Sequence, residues 1–133
     1  MARVGITGMG IISAIGATVE ENYRSLHSGQ PGISRIENFA TVHAPEIFVG
    51  EIKKTNVELV NYLNLSTNTA WTRTALLGIC AAREAVAQAQ LSNLSDGRTG
   101  LISATSVGGM ATTEKYFLAY PEHPELTPYI ETH

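Results

Sequence analysis

Three stretches of this sequence carry residue types at spacings that could do chemistry. Gly8-Met9-Gly10-Ile11-Ile12-Ser13 follows a strand-like segment and precedes a helix start. Glycines so placed allow a tight turn and let backbone N–H groups approach a pyrophosphate at a helix N-terminus, which is dinucleotide-binding chemistry. Three features depart from that fingerprint. Ser13 stands where a third glycine belongs, the helix starts only near Thr18, and no strand with an acidic end follows at the required distance. Glycines that let a strand end pack closely against its neighbours are the plainer reading. The second stretch is Thr105-Ser106-Val107-Gly108-Gly109-Met110. A buried strand that ends in two glycines and opens a helix puts backbone and small side chains at the carboxyl edge of a sheet, where open α/β sheets bind ligands. A simple strand-to-helix turn is the alternative. The third is Cys80, the single cysteine. A nucleophilic thiolate needs a helix N-terminus or a cationic neighbour. Cys80 instead lies within a long helical pattern beside Leu77, Ile79 and Ala81, as a small buried hydrophobe would.

The four histidines add little. His27 falls at the end of a helix, where a cation complements the dipole. His43 and His123 lie near prolines, and His133 is the last residue. None has a partner at metal-ligand spacing, so no metal site is expected. No strand–turn–helix nucleophile elbow supports hydrolase chemistry.

The elements that must position these residues alternate. Arg3 to Thr7 reads as a buried strand. Thr18 and Glu21 have capping-box spacing and open a helix that carries Val19, Tyr23 and Leu26 and stops at Gly29. Residues 33–45 show no period. Glu46 to Ile52 is a strand-length apolar run, and a short helix fits Asn56 to Leu63. The strongest helical pattern runs from about Asn68 to Leu91. It places Trp71, Ala75, Gly78, Ile79, Ala82, Ala85, Val86 and Ala89 on one side, with Arg73, Glu84 and Gln88 opposite. Leu76, Leu77 and Cys80 fall towards the polar side, so this helix should be covered on more than one face. Leu101 to Val107 reads as a further buried strand, and Met110 to Tyr120 as a helix ended by Pro121. Strand–helix alternation predicts an α/β fold with largely parallel pairing.

Composition sets the outer bounds. The chain has 133 residues, 44% hydrophobic and 16% charged, enough for one ordered domain with a core. A net charge of −3 without a basic cluster argues against nucleic-acid binding. A single cysteine excludes an internal disulfide and any multi-cysteine metal site. No apolar run approaches the roughly 18–20 residues of a membrane span, and no secretory signal is expected before the first strand. A soluble, cytoplasmic protein is expected.

Val4-Gly5-Ile6-Thr7-Gly8-Met9-Gly10, followed by Ser13 and Gly16, resembles the opening of the β-ketoacyl-acyl carrier protein synthases, the elongating condensing enzymes. Later pieces agree in order. Glu20-Glu21-Asn22-Tyr23 with Leu26, Gly29, Gly32 and Ile33 is similar to the family's first helix and its exit, and Gly50-Glu51-Ile52 to its next strand. Ala82-Arg83-Glu84-Ala85 resembles the long helix, and Thr105-x-Val107-Gly108-Gly109 the strand end.

The resemblance implies a thiolase-like fold of five α/β/α/β/α layers, incomplete in this chain, of which residues 1–133 are the front portion of the N-terminal domain. It also implies decarboxylative Claisen condensation of an acyl chain with malonyl-acyl carrier protein, in fatty-acid or polyketide synthesis. No cofactor is implied. Acyl carrier protein is the implied partner, together with a homodimer mate or a ketosynthase partner subunit. The family's nucleophile sits in a Thr-Ala-Cys-type turn that does not occur here, so no catalytic residue is expected in this chain, and the fragment alone should be inert. The resemblance carries over only Val107, Gly108 and Met110, as part of the acyl-pocket wall. Two other readings stay open: a non-catalytic, chain-length-setting partner subunit, and a dinucleotide-binding α/β domain. The strands and the two-sided helix should also leave apolar surface open unless further polypeptide covers them.

Overall fold

The computed structural model describes residues 3–67 and 71–110, together with residues 113, 114, 117, 121 and 122. The first helix, α1 (Val19–His27), starts where the capping residues place it: Thr18 accepts a hydrogen bond from the Glu21 amide at 3.2 Å. The Glu21 carboxylate reaches back one residue beyond the cap, to the Ala17 amide at 2.7 Å. At its end the Gly29 amide donates to the Leu26 carbonyl and the Gln30 amide to that of Ser25, a Schellman arrangement. It requires the left-handed φ of 67° that Gly29 adopts without strain.

The buried face of α1 is not the apolar one. Tyr23 and Leu26 are exposed, and the helix buries Asn22. The loop before α1 has no sheet to satisfy its carbonyls, so side chains do so. The Asn22 amide donates to Gly16 and Thr18 carbonyls at 2.9 and 2.7 Å, and its oxygen accepts from the Ser13 hydroxyl. Ser25 donates to the Ile15 carbonyl at 2.7 Å.

Two short strands follow, β1 (Ile33–Arg35) and β2 (Phe48–Gly50). They pair antiparallel with Ser34 opposite Val49. This corrects the expectation of largely parallel pairing. Among the described residues, Arg3 to Thr7 and Leu101 to Val107 form no strand. A strand needs a neighbour to take its N–H and C=O groups, and neither segment has one. Their side chains stand open: Val4 and Ile102 are both 98% exposed.

The hairpin is closed by a carboxylate. Glu51 accepts from the Glu37 and Asn38 amides at 3.0 and 2.9 Å and pairs with Lys53 at 3.1 Å. Lys53 also bridges to Glu37 at 2.9 Å. Burial alone would push the Glu51 carboxyl up, but the Asn38 and Glu37 amides, with Lys53, outweigh it and hold the group below its ordinary value of 4.5. A carboxyl depressed in the folded state contributes stability that is complete above the ordinary value and lost as pH falls through the folded one. Acidification from pH 6 to pH 3 should therefore speed exchange of the Glu37 and Asn38 amides, corrected for intrinsic rates. Glu51→Gln should flatten that dependence.

α2 (Asn56–Leu63) has the bounds its sequence suggests, because Thr55 and Glu58 form a full capping box and Asn64 ends the helix at a φ of 55°. α3 (Arg73–Gln88) begins after the Thr72 cap; positions 68–70 of the expected longer helix lie outside the described residues. Leu59, Val60 and Leu63 of α2 bury against Leu76 and Cys80 of α3, with Ile12, Trp71 and Ile79 at the margin. Arg73 ties the start of α3 to the chain entering α2, donating to the carbonyls of Ile52 and Lys54 at 2.7 and 3.0 Å and to Asn56 at 3.0 Å.

The expectation that α3 is covered on several faces holds. One face meets α2, and a second meets the glycine-rich segment through Ala81, Ala85 and Ala89. A third, with Ala75, Gly78, Ile79 and Ala82, faces the segment from Leu101 to Gly109 across an open cleft, and Ala75, Gly78 and Ala82 stay exposed. Most of the expected helix over 110–120 falls outside the described residues; Met110, Thr113, Glu114 and Phe117 are helical.

Candidate functional site

The Gly108–Gly109 turn borders a cleft of about 470 Å³ between α3 and the segment from Leu101 to Thr105. Gly78 and the alanines of α3 give this cleft an apolar floor, while Thr72, Thr74, Ser103 and Thr105 place hydroxyls around it. Gly109 takes a φ of 84°, which a side-chain-bearing residue would adopt only with strain. At Gly108 an added Cβ would stand 2.6 Å from the Thr105 methyl, so the turn folds back tightly on the segment before it. Of the three positions expected at an acyl-pocket wall, Gly108 lines this cleft. Val107 and Met110 are 73% and 62% exposed and lie outside its lining. An apolar floor with a few polar groups at the rim can hold a hydrocarbon chain and orient a polar head.

The first glycine stretch is built differently from a phosphate cradle. A Cβ at Gly8 would overlap the Ala85 carbonyl, and one at Gly10 the Ala81 carbonyl. Both glycines thus sit directly on the backbone of α3, and the small residues opposite allow that approach. The N–H groups a pyrophosphate would need are already engaged. Met9 donates to the Gln88 side chain at 2.6 Å, and Ile11 to Glu84 at 3.0 Å. The amide of Val19, at the start of α1, donates to the other Glu84 oxygen at 2.8 Å. A carboxylate occupying the helix start is the opposite of what an anionic cofactor requires. The plainer reading of these glycines, close packing, is the one the geometry supports.

Periodicity puts Glu84 and Gln88 on the polar side of α3, opposite the apolar one. They hold the segment from Met9 to Ile11 to α3, with Glu84 half-buried. The available signal was the alanine spacing around Glu84, which marks a face made for close backbone approach.

Cys80 lies in the α2–α3 core, 7% exposed. Burial pushes its thiol above the ordinary value of 9.0, against a weaker opposing pull from Lys54 and Arg83. A buried, protonated thiol is a poor nucleophile. A disulfide reagent such as dithionitrobenzoate should therefore label Cys80 in step with unfolding; immediate stoichiometric labelling of the folded protein would contradict this placement. His27 stacks on Tyr23 with ring centroids 6.0 Å apart, whereas His123 and His133 lie outside the described residues. Among the described residues no three side chains of metal-ligating type come together, and no helix is long and apolar enough to cross a membrane.

The sequence matches the family described as Beta-ketoacyl synthase, N-terminal domain, over residues 1–131. A relative from Staphylococcus aureus (strain COL), named 3-oxoacyl-[acyl-carrier-protein] synthase 2, is 36% identical over 115 residues, which are 84% of this chain and 27% of the relative. Proteins of the same name from Vibrio cholerae and Synechocystis are 30% and 28% identical over 114 residues, again 84% of this chain and 27% of each relative. The chain thus spans about a quarter of the length of these relatives. No solved structure matches it significantly. With a family match that runs over residues 1–131, the chain belongs to the β-ketoacyl synthase family, by its N-terminal domain.

Proposed function

We propose that this chain forms the front of a 3-oxoacyl-acyl carrier protein synthase of fatty-acid synthesis, with the thiolase-like layering of that family. The observation that carries the reading is the family match across residues 1–131, joined by relatives that share one enzyme name. The reaction moves an acyl group from its carrier thioester to a cysteine thiolate and releases the carrier thiol. Malonyl-acyl carrier protein then loses carbon dioxide, and the resulting carbanion attacks the acyl-enzyme carbonyl, freeing the cysteine. Cys80 is buried within a helix and is not that nucleophile, so the reactive thiol must come from polypeptide other than these 133 residues.

The part played by this region is the acyl-pocket wall. Val107, Gly108 and Met110 would border the hydrocarbon chain, with the turn at Gly108–Gly109 setting how closely backbone approaches it. The enzyme would act in the cytoplasm, as a homodimer or beside a ketosynthase partner subunit, with acyl carrier protein delivering both substrates and no cofactor.

The test uses the full-length protein with acyl- and malonyl-acyl carrier protein. The expected result is a 3-oxoacyl product with one equivalent of carbon dioxide released per bond formed. Val107→Phe should shift product length downward at unchanged malonyl decarboxylation. Absence of product from any acyl-chain length would overturn the enzyme reading, and an unaltered length profile in Val107→Phe the wall assignment.

A further inference from the structure

We draw no further inference here: the strongest candidate, the exposed apolar surface at Val4 and Ile6 and at Leu101 and Ile102 in the two segments beside α3, is an unpartnered face, and nothing in the structure shows what covers it.

Discussion

Leu76→Ala is expected to destabilise the fold by about 2–5 kcal/mol, the range for deleting a fully buried leucine side chain beyond Cβ. Leu76 has no exposed surface, and its partner across the helix pair, Leu59, has none either. Among the described residues the buried core comprises Leu59, Val60, Leu63, Leu76 and Cys80. The atoms lining the resulting cavity lose their dispersion contacts outright. Since whole domains are stable by only about 5–15 kcal/mol, this change should remove a large share of the total. Urea titration would show it as a lower midpoint at unchanged slope. Val57→Ala, at an exposed position of α2, should stay within about 0.5 kcal/mol. If the two variants unfold at the same midpoint, α2 and α3 do not form the core.

Gly10→Ala should cost at least about 1–3 kcal/mol, as overpacking does. The added methyl would meet the carbonyl of Ala81 and the amide of Ala85, backbone atoms of a helix that cannot rotate aside. Gly78→Ala is its counterpart with the opposite sign. Gly78 lies in the interior of α3 with nothing within 4 Å of an added Cβ, so alanine should stabilise by up to about 1 kcal/mol through helix propensity. One glycine is pressed onto the backbone of α3, and the other lies within that helix with open space beside it. Thermal and urea unfolding of the pair would decide the matter. Equal and small effects would mean that the N-terminal segment does not seat on α3.

Local signals located the helices well because helix ends are settled by local groups. Thr18, Thr55 and Thr72 each cap the helix that follows, and Gly29 and Asn64 end theirs in left-handed conformations. The pairing of strands is not local. Ile33–Arg35 is too short to show alternation and becomes a strand only because Phe48–Gly50 lies alongside. Arg3 to Thr7 and Leu101 to Val107 have strand-like composition, yet composition supplies no partner, and among the described residues they stay unpaired. The buried face of α1 is hidden from the sequence for a related reason: Asn22 is buried by the carbonyls it serves, which hydropathy cannot register.

At the candidate site, resemblance supplied Val107, Gly108 and Met110, whereas periodicity placed Ala75, Gly78 and Ala82 on a shared side of α3 without saying what they face. The cleft joins those two sets of residues from elements about 30 positions apart, and only Gly108 of the expected three lines it. Glu84 was the residue most thoroughly hidden. A carboxylate on an otherwise mixed helix looks solvated until the amides it serves are seen.

Glu84 also fixes an order of events. Its two oxygens hold the amides of Ile11 and Val19, which precede it by 73 and 65 positions, and Gln88 holds Met9 from 79 positions away. During synthesis the segment from Met9 to Val19 is therefore made well before its clasp has been translated. Contacts so distant in sequence are slow to close. The segment from Met9 to Ile11 is thus among the last parts of this region to find its place.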